Sequence, residues 1–303
     1  MGAKVISFIN MKGGVGKTTL TLNVGNRLSK LGNKILVVDM DPQFNATQSL
    51  LLYKNRLNKS NFTQNIEDLT EEVLIQEEIN SSKYYEQLSK DRQTVLQVFE
   101  STNIDKPLSN NSLAQKITDN LFLIPGDLTL TKEIAGDTSS KVGALLSHFD
   151  GTNILNTYDY VFIDCPPTWS ILTHASLFAS DYYVIPSKID IYSLIGIELL
   201  QDQIKNKITE DKVYKLTKRT LKQLGIVFTL VHRNLKIEDE IRNYIINQFN
   251  ENIHFFQNDL PYIPSVPTKF IMFDEAQNDS RYNQLINSIE KITDEMLHRL
   301  NIL

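Results

Sequence analysis

The sequence has a single cysteine, Cys165, among its 303 residues. An intramolecular disulfide is therefore excluded, and a metal cluster held by several cysteines of one chain is disfavoured. Long apolar runs are also missing, since no stretch approaches the ~18 apolar residues that a membrane-spanning helix needs. The apolar run Val5–Ile9 reaches the glycines of a loop by Gly13, too early for the apolar core of a secretory signal. We therefore expect a soluble cytoplasmic protein.

Basic residues are slightly fewer than acidic ones. The chain has 31 Lys and Arg and 36 Asp and Glu, which gives a formal net charge of −5. Taken over the whole chain, this balance counts against a nucleic-acid partner, since phosphate backbones are met by clustered Lys and Arg. The hydrophobic fraction of 41% and the charged fraction of 22% are ordinary for a globular protein. These fractions exclude a fibrous chain and one that is disordered throughout.

Short β-branched and aromatic runs alternate with helix-length segments. The runs are Val5–Ile9, Ile35–Val38, Leu121–Ile124, Tyr160–Ile163, Tyr182–Ile185 and Ile226–Leu230. The segments include Leu20–Leu31, Ile195–Lys207 and Ile237–Phe249. Several runs are continuously apolar, which is typical of parallel strands buried on both faces. We predict an α/β fold over residues 1–303, a mostly parallel twisted sheet flanked by helices in a single domain.

One region, from about Tyr53 to Asn120, contains no convincing strand. Within it, Glu67–Glu100 carries nine acidic residues against three basic ones. We predict a mainly helical insertion between two strands of the sheet. The simplest interpretation of its charges is a solvated helical surface, and the alternative is a surface that binds a partner.

A glycine-rich loop follows the first predicted strand and leads directly into an amphipathic helix. Its residues 10–19 read N-M-K-G-G-V-G-K-T-T. Glycines let backbone N–H groups close around phosphates, and the helix N-terminus adds partial positive charge. Lys17 would neutralise the phosphates, and Thr18 would bind Mg²⁺ through its hydroxyl. The predicted nucleotide-binding residues are Lys12, Gly13, Gly14, Val15, Gly16, Lys17, Thr18 and Thr19.

Carboxylates end two of the predicted strands. Asp39 and Asp41 close the second strand, and Asp164 closes the run that begins at Tyr160. The carboxyl ends of parallel strands form the edge at which open sheets bind ligands. Burying such a carboxylate without a cation or hydrogen-bond donors would cost several kcal/mol. The pattern therefore predicts a binding site at this edge.

The loop carries a second lysine, Lys12, and has Met11 where the common G-x-x-x-x-G-K-[ST] pattern has its first glycine. On this loop, on V-V-D-M-D-P-Q and on Y-V-F-I-D, the sequence resembles the ParA/MinD family of deviant Walker A P-loop ATPases. The resemblance implies a P-loop NTPase fold with ATP and Mg²⁺ as cofactors. It also implies that Lys12 reaches the nucleotide held by the other subunit of a dimer.

The resemblance further assigns roles to the carboxylates. It implies that Asp41 orients or activates the attacking water, with Lys12 and Lys17 as the other catalytic residues. It places Asp39 near the metal shell with Thr18, and it lets Asp164 hold Mg²⁺ through a water. Pro264 lies in a segment similar to the family's proline-bearing loop, which implies a contact with adenine.

Three roles are open within this family: DNA partition, membrane positioning as in MinD, and iron–sulfur chemistry. The single cysteine excludes the third, because each subunit there supplies two cluster cysteines. Membrane positioning requires a basic amphipathic C-terminal helix. The segment Ile286–Leu303 has an apolar stripe but three acidic residues against Lys291 and Arg299. We interpret it as a terminal helix that packs on the sheet.

Basic residues concentrate between Ile204 and Lys236, where nine Lys and Arg stand against two acids. A helix over Asp211–Leu224 would place Lys215, Lys218, Arg219 and Lys222 on one face. The opposite face, toward the protein, would carry Val213, Leu216, Leu221 and Leu224. We predict contacts with DNA phosphates from Lys215, Lys218, Arg219, Lys222 and Arg233.

Because the loop begins by Lys12, we expect no operator-binding segment before it, and the resemblance is then to the short, ParA/Soj-like type. It implies an ATP-bound homodimer that binds DNA without sequence preference and is nucleoid-associated in that state. It also implies slow ATP hydrolysis that a ParB-like centromere-binding partner stimulates, with no membrane involved. The alternative is a MinD-like positioning ATPase on a membrane.

Overall fold

A twisted eight-stranded sheet forms the centre of the molecule, which we describe from a computed structural model. The structure describes residues 2–58, 71–100, 113–134, 141–232, 235–249 and 253–302. The strands are β1 (Lys4–Phe8), β2 (Ile35–Asp39), β3 (Gln115–Lys116), β4 (Leu121–Ile124), β5 (Tyr160–Asp164), β6 (Tyr182–Ser187), β7 (Lys222–Val231) and β8 (Leu260–Pro261). Their order is β3-β4-β2-β5-β1-β6-β7-β8, and only β3 is antiparallel to its neighbour. The predicted mostly parallel α/β fold is confirmed.

Helices cover the sheet and connect its strands. They are α1 (Lys17–Lys30), α2 (Asn45–Asn58), α3 (Glu71–Lys90), α4 (Leu96–Glu100), α5 (Leu130–Glu133), α6 (Ala144–Gly151), α7 (Ile154–Thr157), α8 (Ile171–Phe178), α9 (Ser193–Ile204), α10 (Lys212–Leu216), α11 (Lys236–Phe249), α12 (Ser265–Lys269), α13 (Phe273–Ala276) and α14 (Asn283–Ile302). A π-helical turn, Lys205–Thr209, extends α9, and a 3₁₀ turn, Ser280–Tyr282, precedes α14.

The core lies on both faces of the sheet, as the continuous apolar runs require. Val5 and Ile163 belong to one buried cluster, whereas Ile6 and Phe162 belong to the other. Neighbouring residues of a strand point to opposite faces, so a strand buried on both sides must be apolar at every position. This requirement explains why these strands were visible in the sequence.

The C-terminal helix packs on the protein, as expected. Its apolar stripe of Leu285, Ile289, Ile292, Met296 and Leu300 is buried. The helix contacts α1 and α13, and Lys4 Nζ donates a hydrogen bond to the carbonyl oxygen of Leu300 (2.9 Å). Among the helices that the structure describes, none has the length and apolar content needed to cross a bilayer.

The region from Tyr53 to Asn120 contains the end of α2, then α3 and α4, but also the short strand β3. The expectation that it contains no strand is therefore wrong at Gln115–Lys116. A two-residue antiparallel pair is too short to leave an alternating pattern in the sequence. Residues 59–70 and 101–112 of this region lie outside the described residues.

The predicted helix over Asp211–Leu224 is also wrong. Helix α10 ends at Leu216, Lys218 has a positive φ of 58°, and Lys222 begins β7. Val213 and Leu216 are 63% and 81% exposed, and Tyr214 is the buried residue of α10. Pairing of β7 with β6 prevents the chain from continuing as a helix.

Candidate nucleotide-binding site

The glycine-rich loop connects the end of β1 to the first residue of α1. Gly14 has a φ of 66°, and Gly16, the N-cap of α1, has a φ of 73°. Side chains other than glycine are strained in this left-handed region, so the two glycines permit the turn into the helix. Backbone N–H groups at the start of α1 lack partners within the helix, and they are available to an anion.

Hydrogen bonds within the loop and to the neighbouring strands β6 and β7 hold this loop in place. Asn10 Nδ2 donates to the carbonyl oxygen of Pro186 in β6 (2.7 Å), and Asn10 Oδ1 accepts from the amide of Lys12 (2.9 Å). The hydroxyl of Thr229 in β7 donates to the carbonyl oxygen of Val15 (2.5 Å). The loop is therefore ordered by the sheet before any ligand arrives.

Three predicted residues, Lys17, Thr18 and Asp164, come together at the start of α1. The hydroxyl of Thr18 donates to Asp164 Oδ2 (2.6 Å), and Lys17 is only 6% exposed. Burial raises the pKa of Asp164 to about 6, although the nearby Lys17 acts to lower it. Asp164 Oδ1 is buried and has no hydrogen-bond partner among the described residues.

These residues fit a divalent cation. A hydroxyl and a carboxylate oxygen are the hard ligands that Mg²⁺ prefers, and Mg²⁺ usually keeps several waters and substrate phosphates as its other ligands. Among the described residues, no group of three or more His, Cys, Asp or Glu could hold a metal without further help. A cation beside Thr18 and Asp164 would therefore complete its shell with phosphate oxygens and water.

Asp39 lies beside Asp164 in the sheet but has a different set of partners. Its Oδ2 accepts hydrogen bonds from the amide (2.8 Å) and the hydroxyl (2.7 Å) of Thr47, and its Oδ1 accepts from the amide of Asp41 (3.2 Å). Burial, followed by the charge of Asp164, raises the pKa of Asp39 to about 8. Asp39 thus fixes the loop that connects β2 to α2, a role that the motif did not reveal.

The loop borders a cavity of about 570 Å³, which we call the P-loop cavity. Gly13–Thr19 and Asp41 line one side of it. Asp41 is 6% exposed, and its Oδ1 accepts a hydrogen bond from the amide of Gln43 (3.0 Å). The predicted phosphate-binding residues and the predicted water-orienting carboxylate therefore face the same space.

The other side of the P-loop cavity is mostly apolar and was missed by sequence reasoning. It is formed by Leu230, Tyr262, Val266, Phe270, Ile271 and Met272. Pro264, the predicted adenine contact, is the exposed N-cap of α12 and is not among the described residues that line this cavity. Tyr262, two residues earlier, does line it. Scattered apolar residues carry no motif, so only their convergence in space could identify this wall.

Lys12 points away from the P-loop cavity of its own chain. Its ammonium group forms an ion pair with Asp190, the third residue before α9. The Lys12 side chain is 41% exposed, and Lys12 is not among the described residues that line the cavity. This contact with Asp190 could not be predicted from the sequence, because the two residues are 178 positions apart.

Four of the predicted DNA-binding residues lie at the end of the sheet opposite to the glycine-rich loop: Lys215, Lys218, Arg219 and Lys222. Lys222 is the first residue of β7, whereas the glycine-rich loop follows the last residue of β1. Lys215 and Lys218 are exposed near the start of β7. Arg219 is instead held by the protein, since its Nη2 donates to Asp181 Oδ1 (2.8 Å). Arg233 lies outside the described residues.

A family model described as an AAA domain matches residues 3–218. The chain belongs to that family, in its ParA/Soj-like group. Sporulation initiation inhibitor protein Soj of Bacillus subtilis is 26% identical to this ParA/Soj-like chain over 275 residues, which cover 89% of this chain and 91% of Soj. The membership confirms the resemblance seen in the loop motifs.

Two solved structures share the fold of this ParA/Soj-like chain. A putative plasmid partition protein from Borrelia burgdorferi B31, bound to AMPPNP, has a TM-score of 0.67 at 21% identity and covers 98% of this chain and 99% of its own. Cobyrinic acid a,c-diamide synthase from Mycobacterium smegmatis, with a bound ATP analog and magnesium, has a TM-score of 0.68 at 19% identity. The match covers 98% of this chain and 95% of the synthase chain. Because their names describe different processes, the shared fold does not decide which process this chain drives.

We expect the nucleotide-free protein to lose stability between about pH 6.5 and pH 8. The pKa of Asp39 is about 8 in the folded protein and 3.8 as its ordinary value, so folding retains a proton that the unfolded chain releases. Stability is then lost as the pH rises through this range. Below about pH 6.5, burial of His148, which lowers its pKa to about 4, acts in the opposite direction.

Urea denaturation midpoints measured in EDTA across this pH range would test the expectation. Asp39→Asn is the control, since it removes one titrating group and should reduce the dependence to the part due to Glu275, whose pKa burial raises to about 7. A wild-type midpoint that stays constant or rises with pH would contradict it.

Proposed function

We propose that this chain is a Mg²⁺-dependent ATPase that acts in DNA partition, as a switch whose ATP-bound homodimer binds DNA without sequence preference. The observation that carries the proposal is the constellation at the start of α1. Lys17, Thr18 and Asp41 line the P-loop cavity, and the hydroxyl of Thr18 donates a hydrogen bond to Asp164. Phosphate, cation and attacking water each have a matching group there.

ATP would occupy the P-loop cavity with its phosphates on the backbone amides of Gly13–Thr19. Lys17 would bind the phosphates, and Thr18 and Asp164 would hold Mg²⁺, with Asp39 behind them as the support of the β2–α2 loop. When bound, Mg²⁺ neutralises charge on the phosphate oxygens. The apolar wall that includes Tyr262 and Phe270 suits the flat face of a base.

Asp41 would orient the water that attacks the terminal phosphate. Its carboxylate is nearly buried and is held by the amide of Gln43, so its position is defined before ATP binds. Transfer of a phosphoryl group depends on positioning and on positive charge that stabilises the transition state. Hydrolysis would therefore be slow until a ParB-like centromere-binding partner supplies that missing charge.

Lys12 would complete the site of the second subunit. The exposure of its side chain, and its position outside its own P-loop cavity, support this role. Closing the dimer on ATP would require Lys12 to leave Asp190, an exchange of one charged partner for another. The family membership supports the dimer, and ATP-dependent closure would link nucleotide state to DNA affinity.

Charge distribution supports DNA as the ligand of the closed dimer. The segment Ile204–Lys236 has an excess of seven positive charges, and its residues Lys205, Lys207, Lys212, Lys215, Lys218 and Lys222 are exposed. These lysines lie on turns and short elements rather than along one face of a helix. This distribution suits contacts with phosphates more than contacts with bases. Arg233 stays a prediction. The apolar stripe of α14 is buried, so it does not favour the membrane alternative.

The test is DNA binding with ATP, ADP or no nucleotide at low and high salt. We expect binding only with ATP and an affinity that falls steeply with salt. Lys215→Ala/Lys218→Ala should weaken binding to all sequences and make the slope of log affinity against log salt shallower by about 2 for each subunit that contacts DNA, or about 0.9 for each phosphate contact. Lys83→Ala/Lys90→Ala, which removes two exposed lysines of α3, is the matched control.

Three outcomes would contradict the proposal. DNA binding without nucleotide would show that ATP does not control DNA affinity. An unchanged slope of log affinity against log salt in Lys215→Ala/Lys218→Ala would show that DNA binds at another surface. ATP-dependent binding to anionic lipid vesicles, without binding to DNA, would favour the membrane alternative.

A further inference from the structure

A second cavity of about 570 Å³ lies between α2, α3 and α12, and we call it the insertion cavity. One wall is α3, the long helix of the region between β2 and β4. Polar contacts help to hold α3 against α2. Asn55 Nδ2 donates to Ser81 Oγ (2.8 Å), and the ammonium group of Lys54 lies over the ring of Tyr84 (4.8 Å). Phe270 lines both this cavity and the P-loop cavity.

The insertion cavity presents apolar side chains to solvent. Leu52 and Leu74 line it together with Ile75 and Leu128, which are 50% and 55% exposed. Its volume lies within the range of about 300–1,000 Å³ that is typical of ligand pockets. Exposed apolar side chains around a concave surface mark a place where another group binds.

The rim of the insertion cavity carries negative charge. Glu71, Glu78 and Glu86 are exposed lining residues of α3. The lining also includes two cationic residues, Lys269 and Arg56. The guanidinium of Arg56 is buried, and it donates to both carboxylate oxygens of Glu275 (2.8 and 2.9 Å). The charge that remains at the rim therefore favours a cationic ligand.

We propose that the insertion cavity binds an amphipathic segment of a partner protein that carries apolar side chains on one face and Lys or Arg on the other. The apolar side chains would bury Ile75 and Leu128, and the basic ones would meet Glu71, Glu78 and Glu86. Complementary charge at a rim directs such encounters and selects the partner, while the apolar centre contributes affinity.

Occupancy of this cavity would act on the loop that carries Asp41. Tyr85 of α3 stacks on Phe44, with ring centroids 4.8 Å apart, and both residues line the cavity. The amide of Phe44 donates to the carbonyl oxygen of Asp41 (2.8 Å), and Phe44 has a φ of 42°, a conformation costly for a large side chain. A ligand that shifts Tyr85 would therefore shift the support of Asp41.

The effect on Asp41 rests on the proposed ATPase function, whereas binding in the cavity does not. The experiment therefore measures binding without nucleotide. The probe is a fluorescein-labelled synthetic peptide with Leu on one helical face and Lys on the other, compared with a peptide that has Glu in place of each Lys. Fluorescence anisotropy at about 150 mM salt, where exposed charges are screened beyond about 8 Å, reports the affinity.

We expect the Lys peptide to bind and the Glu peptide not to bind. Glu78→Lys/Glu86→Lys should weaken binding by at least about tenfold, or 1.4 kcal/mol. The control, Asp239→Lys/Glu240→Lys, makes the same change of net charge at exposed residues of α11 and should bind like wild type. An equal loss of affinity in both variants would show that binding depends only on the net charge of the protein, and this result would overturn the proposal.

A blocked cavity provides the second test. Cys165 is fully buried, so in Ile75→Cys a bulky maleimide would label residue 75 alone. The labelled protein should keep its melting temperature and lose the Lys peptide. Unchanged binding after labelling, absence of binding by wild type, or binding of the Glu peptide would each overturn the proposal. Self-association of wild type that the label abolishes would point to a second copy as the occupant and also overturn it.

The rate of ATP hydrolysis separates the two proposals. The Lys peptide should change the rate in wild type but not in the labelled variant. If wild type binds the peptide but hydrolyses no ATP, the proposed function fails and the binding site stands. If ATP is hydrolysed and the peptide does not bind, the binding site fails and the proposed function stands.

Discussion

Lys17→Ala is expected to weaken ATP binding by about a hundredfold or more. Lys17 is 6% exposed at the floor of the P-loop cavity, so its ammonium group is poorly solvated and close to the space for the phosphates. Hydrogen bonds to charged groups contribute about 1.5–3 kcal/mol each. Two such bonds correspond to at least about 3 kcal/mol, and each 1.4 kcal/mol is a factor of ten. Isothermal titration calorimetry with ATP and Mg²⁺ measures the effect.

Two further variants show whether the loss is specific to Lys17. Lys132→Ala removes an exposed lysine of α5 and should bind ATP like wild type. Lys12→Ala should still bind ATP but fail to form the ATP-dependent dimer, which sedimentation velocity would detect. If Lys17→Ala bound ATP with an affinity within about threefold of wild type, or 0.6 kcal/mol, the phosphates would have to bind elsewhere than at this loop.

Asp41→Ala is expected to slow ATP hydrolysis by about 10²- to 10⁴-fold, the usual contribution of a group that positions or deprotonates the attacking water. ATP binding should persist, because Lys17 and the amides of the loop are unchanged. The ATP dimer should then stay on DNA. Phosphate release and the rate of dissociation from DNA, followed on the same protein, measure the two consequences.

The control for Asp41→Ala is Asp150→Ala, which removes an exposed carboxylate of α6 that does not line the P-loop cavity. It should hydrolyse ATP at close to the wild-type rate. If Asp41→Ala hydrolysed ATP as fast as this control, another group would have to orient the water. If Asp41→Ala hydrolysed ATP slowly but still dissociated rapidly from DNA, dissociation from DNA would not depend on hydrolysis.

The sheet could be predicted because its strands are buried on both faces. Leu121–Ile124 was predicted with its observed bounds, and Tyr160–Asp164 extends the predicted run by one residue. Such strands are apolar at every position, so they can be recognised in the sequence between more polar segments. The start of α1 was predicted at Leu20 but lies at Lys17, because the helix begins within the glycine-rich motif rather than at the first apolar residue.

The helix predicted over Asp211–Leu224 shows where local pattern fails. Basic residues at positions i, i+3, i+4 and i+7 occur there, yet the chain turns after Leu216 and pairs with β6 from Lys222. Arg219 is held by Asp181, which also accepts a hydrogen bond from the amide of Val5 (3.0 Å). These partners are distant in sequence, and tertiary pairing overrides helical propensity when a strand can join the sheet.

The sequence by itself determined the family, the mostly parallel sheet and the phosphate-binding half of the site. These features depend on contiguous residues, because a glycine-rich turn, a lysine and a hydroxyl act from a single strand-loop-helix unit. Only the tertiary structure decided the apolar wall that includes Tyr262 and Phe270, the partners of Lys12 and Asp39, and the insertion cavity beside Tyr85. Each of these needs side chains from distant segments, and their meeting is set by packing and hydrogen bonding across the whole fold.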